Sequence, residues 1–379
     1  MCSADIGWIG LLERENAAAL NAALLALAAT TTDAFARTLE ELAIHAELYL
    51  TQNDGTLMRV AEARQFPIRT FASGPTNSIR GAYYLSDVAD GIVVDIGGTT
   101  MDVGVLQRGF PREAGFAVAV GGVRTNFRMP DVTSVGLGGG GIVSDDGGAV
   151  GPVSVGSRLL TEARSFGGGT LTATDIANAV GRARVGGDPR VAPDVARRAA
   201  AAMDRLFAGA IDRMKETAAD VPVVLGGGAI LIVDDPVAGV ARVVRPAHGD
   251  VENAIGAALA QVGGEVDQVV SLETTLRERA IMEATMRAQE IAVRAGAVPV
   301  SLQTIAVDEI PIAYLCRATR CGCTLRSSGI CHDAPDQRAG RGGNRHRRGD
   351  SRHGWWGQSV PRVHHDARDA PARRDYPPD

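Results

Sequence analysis

The segment Val93-Val-Asp-Ile-Gly-Gly-Thr-Thr-Met-Asp-Val-Gly-Val105 reads as a strand, a glycine-rich turn and a return strand. Its first half is apolar and β-branched, as a buried strand requires, and Asp95 stands near the end of that run. A carboxylate in that position needs a partner or a metal ion. Gly97 and Gly98 let an oxyanion approach the backbone and leave N–H groups free to donate, and Thr99 and Thr100 add hydroxyls. Asp102 opens the return strand, placed to orient a water or a Mg²⁺ ion. Carboxylates beside a phosphate-cradling turn are what metal–nucleotide binding needs. Glycines alone would suit a plain hairpin equally well. The two aspartates and two threonines between apolar strands argue for the binding turn. No Gly-Lys-Ser/Thr occurs, so this is not a P-loop. A strand rather than a helix follows, so it is not a dinucleotide-binding fingerprint either.

Two other glycine clusters extend the pattern. Val221-Pro-Val-Val-Leu-Gly-Gly-Gly-Ala229 is a strand running into Gly226, Gly227 and Gly228. Gly136-Leu-Gly-Gly-Gly-Gly141 reads either as a loop approaching a phosphate or substrate, or as a hairpin tip. Around them the pattern predicts helices over 11–27 and 32–45, the latter capped by Thr32 or Asp33, and a strand over 47–51. Asn53-Asp-Gly55 is a turn, and a helix is expected over 76–85. Val195, Ala199, Met203, Leu206, Ala210 and Met214 form one face of a long helix. Further helices are expected over 250–262, capped by Asp250, and over 274–295, with strands at 240–244, 303–307 and 310–315. The fold class is α/β, with a mixed sheet flanked by helices.

The chain has 379 residues, 45% hydrophobic, with 46 glycines against 8 phenylalanines. That suits one or two loop-rich α/β domains. A net charge of −5 points to neither nucleic acid nor an anionic membrane. No uncharged apolar run reaches the roughly 18 to 20 residues that span a bilayer. Met1–Ile9 lacks the basic start of a signal peptide, so a cytoplasmic location is expected.

Several segments resemble the hydantoinase A/5-oxoprolinase family of the actin-like ATPase superfamily. They are Gly10-Leu-Leu-Glu-Arg-Glu-Asn-Ala17 with Asn21, Gln52-Asn-Asp-Gly-Thr-Leu-Met58, Ser73-Gly-Pro-Thr-Asn-Ser78 with Gly81-Ala82, Val94–Val103 and Leu225–Gly228. The resemblance runs from about residue 5 to about 315. It implies an actin-like (ribonuclease H-like) ATPase lobe and ATP-driven opening of a small cyclic amide, 5-oxoproline or a hydantoin. It implies ATP and Mg²⁺ as cofactors and a B-type subunit as partner. Carried over by motif, Asp95 and Asp102 are the candidate catalytic carboxylates, with Asp95 also the metal ligand. Gly97, Gly98, Thr99 and Thr100 would bind phosphate, and Gly226, Gly227 and Gly228 would back the nucleotide. The family begins with another Asp/Gly-Gly-Thr lobe upstream of residue 1, so a piece truncated at both ends is expected. By this reading 1–70 is a helical lead-in, 71–300 the ATPase domain and 301–315 the start of a β unit. Another actin-like ATPase, such as a sugar kinase or reactivating factor, and an inactive degenerate product are the alternatives.

The last 64 residues differ in kind. They hold four of five cysteines, five of seven histidines and 13 arginines, with no visible periodicity. Cys321-Gly-Cys323 with Cys331-His332, or His364-His365, would make a poorly spaced zinc site. A basic arm is a second reading, diluted by seven aspartates. The preferred reading is a shifted frame. Allowed codons for Cys316–Ile330, read one base earlier, give a turn and an apolar segment. It predicts no compact structure beyond Leu315. His248, Arg124–Arg128, Glu13–Glu15 and Lys215 read as surface or structural residues.

Overall fold

In the computed structural model, which describes residues 3–7, 10–115, 117–228, 232–234, 239–311 and 318–327, the elements follow in this order. The first part holds α1 (Leu12–Glu41), β1 (Tyr49–Thr51), β2 (Thr56–Arg59), α2 (Val60–Gln65), α3 (Ser73–Ser86), β3 (Gly91–Ile96), β4 (Met101–Gln107) and β5 (Phe110–Pro111). Next come β6 (Val118–Val120), β7 (Val123–Thr125), β8 (Val132–Val135), β9 (Gly141–Val143), β10 (Val150–Ser154), α4 (Leu159–Glu162), α5 (Ala173–Ala179) and α6 (Pro193–Met214). The last are β11 (Val221–Gly226), β12 (Val240–Val244), α7 (Glu252–Ala258), β13 (Gln261–Ser271), α8 (Arg277–Arg294), β14 (Leu302–Pro311) and β15 (Ala318–Ser327).

Two mixed sheets carry the architecture. The first runs β12-β11-β3-β4-β5, with β8 also on β4. Its β12, β11 and β3 are parallel, and β3–β4 is an antiparallel hairpin. Side chains alternate across it. Ile92, Val94, Ile96, Met101, Val103, Val223 and Leu225 face one way, into a core with α5 and α6. Val93, Leu106 and Val224 face the other way, against Ile79 and Ala82 of α3. This period of two decides the site, because Asp95 and Asp102 fall on the α3 face. On the opposite face, Ala199, Met203, Phe207 and Ala210 of α6 are each at most 1% exposed. A fully buried Phe contributes about 1.5–3 kcal/mol.

Helices α3 and α7 cross at close range because each has a glycine at the crossing. A Cβ on Gly81 would lie 1.9 Å from the Glu252 carbonyl oxygen, and one on Gly256 would lie 1.8 Å from that of Asn77. The crossing holds the start of α7 over the sheet.

The second sheet runs β1-β2-β13-β15-β14. Helix α8 lies on it through Ala280, Ala284, Ala288 and Ala292, spaced four apart and all buried. The strands of this sheet come from the lead-in, the expected ATPase segment and the chain beyond Pro299 alike.

Four expectations are corrected. The two helices expected over 11–45 are one helix, α1. Thr32 is not its cap but bonds back to the carbonyls of Ala28 and Ala29 within the helix. The helix at 250–262 ends at Ala258, Asp250 makes no side-chain cap, and Val262 belongs to β13. The strand expected over 303–307 extends to Pro311, while 312–317 lie outside the described residues. Finally, Ala318–Ser327 forms β15, paired along its length with β13 and β14. Cys321, Cys323 and Leu325 alternate onto the α8 side and are buried there with Ala284 and Ala288. The expectation of no compact structure beyond Leu315 fails for these ten residues, because they find hydrogen-bonding partners on both sides in β13 and β14.

By length and composition, α1 is the one helix among the described residues apolar enough to cross a membrane, with a mean hydropathy of 1.3 over 18 residues. It docks through buried Asn21, whose Nδ2 donates to the Gln65 carbonyl and whose Oδ1 accepts the Ile68 N–H.

Candidate functional site

The carboxyl ends of the parallel strands β3 and β11 lie side by side, with Gly226 opposite Asp95 in the register. Open α/β sheets characteristically bind ligands at such an edge. Both predicted glycine turns leave the sheet here. Asp95 is half-buried, and its Oδ2 accepts a 2.5 Å hydrogen bond from the Ser78 hydroxyl of α3. Asn253 Nδ2 donates to Ser78 Oγ at 3.1 Å and to the Gly74 carbonyl at 2.8 Å. A relay from α7 through α3 thus fixes one Asp95 oxygen.

Asp102 is the cross-strand partner of Asp95 and of Ser134, whose hydroxyl donates to Asp102 Oδ1. Burial pushes the Asp102 carboxyl above its ordinary value. The Ser134 hydrogen bond works against this, and the charge of Asp95 adds to it.

The turn between them has a closed side and an open side. The Gly97 N–H bonds to the Thr100 carbonyl at 2.9 Å. The Gly97 and Gly98 carbonyls accept from the N–H groups of Gly139 (3.1 Å) and Gly140 (2.7 Å), and Ser154 Oγ adds a bond to the Gly98 carbonyl. The 136–141 loop is therefore a backbone strap beneath the turn rather than a free hairpin tip. A Cβ on Gly138 would lie 2.6–2.7 Å from Thr99 N, Gly97 O and Gly98 C, which is why that position is glycine. Above the strap, Gly98, Thr99 and Thr100 are exposed. Among the described residues nothing accepts the Gly98 or Thr99 N–H, and a Cβ on Gly98 would meet open space. The turn is open to solvent at Gly98, while Thr99 N lies beside Gly138 of the strap.

The second turn supplies the other wall. Gly226 and Gly227 are buried and Gly228 is exposed. Gly227 has φ +83, and a Cβ there would lie 2.3 Å from Asp95 Oδ1. Its N–H bonds to the Gly249 carbonyl at 2.9 Å. A Cβ on Gly226 would lie 1.8 Å from Glu252 Oε1. Glu252, at the start of α7, is 1% exposed, and neither carboxyl oxygen has a hydrogen-bond partner. Burial pushes its carboxyl up to about 9, and the nearby charge of Asp95 contributes.

The structure thus brings together Asp95, Asp102, the 97–100 turn and Gly226–Gly228. It adds Ser78, Ser134, Glu252 and Asn253, which sequence reasoning did not assign. Ser78 lay within a motif already singled out, and the alternation of β3 placed Asp95 on one face; what faced it from α3 was not legible. His248 is exposed, in a left-handed conformation (φ +65). Arg124 is exposed beside Glu13 at 3.7 Å. Arg128 is taken up by Asp54, Glu113 and Glu265, so neither arginine is presented to a substrate at the turns. Lys215 Nζ bonds to the Gly239 carbonyl. Cys321 and Cys323 are buried in the second sheet, while Cys331, His332, His364 and His365 lie outside the described residues. Among the described residues no three His, Cys, Asp or Glu side chains gather as a metal cluster. A separate cleft, lined by Asp54, Phe110, Glu113, Arg128 and Arg326 among others, shares no residue with the turns.

Comparison with known proteins fits this geometry. The family model described as Hydantoinase/oxoprolinase matches residues 14–203, half of the chain. The chain belongs to that family. Among solved structures, this hydantoinase/oxoprolinase chain is similar to a nucleotide-free acetone carboxylase, described as carboxylating acetone in an ATP-dependent reaction, with TM-score 0.64 and 17% identity over 86% of this chain. It is likewise similar to an ATP-dependent caprolactamase from Pseudomonas jessenii, with TM-score 0.61 and 17% identity over 86% of this chain. These likenesses establish the actin-like fold. The chain spans 58% of the first of those proteins and 60% of the second. No curated protein matches the chain.

Proposed function

We propose that this chain carries the nucleotide-phosphate site of an A-type subunit that uses ATP to open a small cyclic amide of the 5-oxoproline or hydantoin type, in the cytoplasm and with a B-type subunit. One observation carries the reading. Two glycine turns and two carboxylates converge at the carboxyl edge of β3 and β11, with Gly98, Thr99 and Thr100 of the first turn exposed. Family membership and the ATP-dependent neighbours support it.

Each residue then has a task. The N–H groups of Gly98 and Thr99 and the threonine hydroxyls bind phosphate oxygens. The strap under the turn holds those donors in place, so little reorganisation is needed when charge develops. In the Gly226–Gly228 turn, the exposed Gly228 lets the nucleotide lie against backbone, while Gly226 and Gly227 make room for the carboxyls of Glu252 and Asp95. A divalent cation fits the site: Asp95 is half-buried, Ser78 holds its Oδ2, and its Oδ1 has no hydrogen bond among the described residues. Mg²⁺ held by Asp95 supplies charge neutralisation at the phosphates. Asp102, with its raised carboxyl and its hydroxyl partner Ser134, is placed to orient a water or hold a proton. An unactivated lactam is a poor electrophile, and transfer of a phosphoryl group to its carbonyl oxygen makes ring opening by water feasible.

The test is ADP and ATP binding to the chain in Mg²⁺, by calorimetry. It is followed by phosphate release with 5-oxoproline, N-methylhydantoin or caprolactam, with and without a B-type subunit. Binding that Asp95→Asn weakens at least tenfold is expected. Absence of any nucleotide binding at millimolar concentration would falsify the reading. Nucleotide binding with phosphate release stimulated by a sugar instead would favour a kinase.

A further inference from the structure

The buried glycines of the second turn do more than back a nucleotide. We infer that Glu252 is a second protein ligand to the divalent cation whose first ligand is Asp95, an assignment that rests on the nucleotide-site reading above.

The first observation is an unmet need. Glu252 is 1% exposed, and both of its oxygens lack a hydrogen-bond partner. Buried carboxyl oxygens are almost always satisfied, and leaving one unsatisfied is costly. A cation is the simplest group that would satisfy both oxygens at once.

The second observation is where the group points. Gly226 is the register partner of Asp95, and the Glu252 carboxyl occupies the space a Gly226 side chain would take. At the next residue, Asp95 Oδ1 occupies the space a Gly227 side chain would take. Two consecutive glycines therefore admit two carboxyl groups from opposite elements into adjoining space. The Ser78 hydroxyl holds Asp95 Oδ2 and leaves Oδ1 as the oxygen on that side. Among the described residues no basic side chain forms an ion pair with either group.

The third is the ligand count. Mg²⁺ and Mn²⁺ characteristically take one or two protein carboxylates and complete their shell with phosphate oxygens and water, whereas Ca²⁺ takes six to eight oxygens. Two carboxylates beside an open phosphate turn match the smaller ions. They also agree with the absence of a three-residue metal cluster among the described residues.

Mn²⁺ is the probe. The full chain is titrated with MnCl₂ in the presence of ADP, and free Mn²⁺ is followed by electron paramagnetic resonance. ADP binding is measured separately in EDTA. Glu252→Gln is expected to weaken Mn²⁺ binding at least tenfold and to abolish the Mn²⁺-dependent rise in melting temperature, while ADP affinity in EDTA stays within twofold. Glu252→Asp, which keeps the carboxylate on a shorter arm, retains part of the Mn²⁺ affinity, and Glu283→Gln on α8 retains all of it. Circular dichroism confirms that each variant is folded. Wild-type Mn²⁺ affinity in E252Q overturns the assignment, as does a wild-type chain that binds ADP but no Mn²⁺. Failure of the wild type to bind either overturns the nucleotide site itself, and this assignment with it.

Discussion

Asp95, Asp102 and Glu252 show how one functional group, the carboxyl, meets three environments within one site. Asp95 has a hydroxyl donor and an exposed turn beside it. Asp102 is partly desolvated, with one hydroxyl donor, and its carboxyl is raised. Glu252 is sealed without a donor, and burial lifts its carboxyl to about 9 from 4.5. The last has a consequence for stability. The folded state holds the Glu252 proton more tightly than the unfolded state, so its contribution is fully present below about pH 4.5. It is lost as pH rises toward about 9, by up to roughly 1.4 kcal/mol per pH unit. Urea denaturation of the metal-free chain in EDTA, from pH 5 to 9, should show wild type losing stability relative to E252Q as pH increases. Parallel curves for the two would show that the carboxyl is already ionised, or reached by water. Asp95 and Asp102 themselves were legible from sequence as the two carboxylates flanking the turn, and their separation of seven positions sets them opposite one another in the hairpin. Their serine partners, Ser78 on α3 and Ser134 on β8, were not, because a hydroxyl carries no signal of which strand it will face.

At the scale of elements, the glycine loops divide into two kinds. Gly97 and Gly98 face open space or a distant carbonyl, so they serve approach by a ligand. Gly138 and Gly140 face backbone within 3.0 Å, so they serve close packing of the strap on the turn. Sequence alone could not separate these uses, since both read as runs of glycine. Gly138→Ala is the discriminating change. Its Cβ meets Thr99 N, Gly97 O and Gly98 C, atoms that cannot rotate away. The expected result is a loss of about 1–3 kcal/mol of stability from overpacking, with ADP affinity reduced about tenfold as the turn is displaced. Unchanged urea midpoint and affinity would mean that the strap is slack. Helix α1 makes the complementary point. Its alanine-rich sequence holds no glycine or proline break between residues 12 and 41, so propensity carries it through Thr30-Thr-Thr32. The threonines suggested a cap, but in the helix they bond back to carbonyls three and four residues earlier.

For the whole molecule, the second sheet ties distant parts of the chain together: β2 pairs with β13, β13 with β15, and β15 with β14. Because β15 lies between β13 and β14, ending the chain after Leu315 removes an interior strand. It also uncovers Ala284 and Ala288 of α8. Leu325 alone, 1% exposed, is worth about 1.5–3 kcal/mol, against a total of about 5–15 kcal/mol for a typical domain. The truncated chain should therefore aggregate or unfold without a cooperative transition, as read by size-exclusion chromatography and a urea melt. A cooperative melt at the full-length midpoint would show β15 to be dispensable.

By itself the sequence determined the α/β class, the β3–turn–β4 hairpin, the two glycine turns and the buried face of α6. Each is written in a local period or in residues adjacent in the chain, where backbone geometry leaves little choice. Tertiary structure alone decided that the 136–141 loop straps the phosphate turn, that Ser78, Ser134, Glu252 and Asn253 surround the carboxylates, and that Ala318–Ser327 is an interior strand. Those contacts join residues 17 to 175 positions apart, or depend on which neighbour a strand finds. Pairing at such separations is set by how whole faces pack, and no local pattern records it.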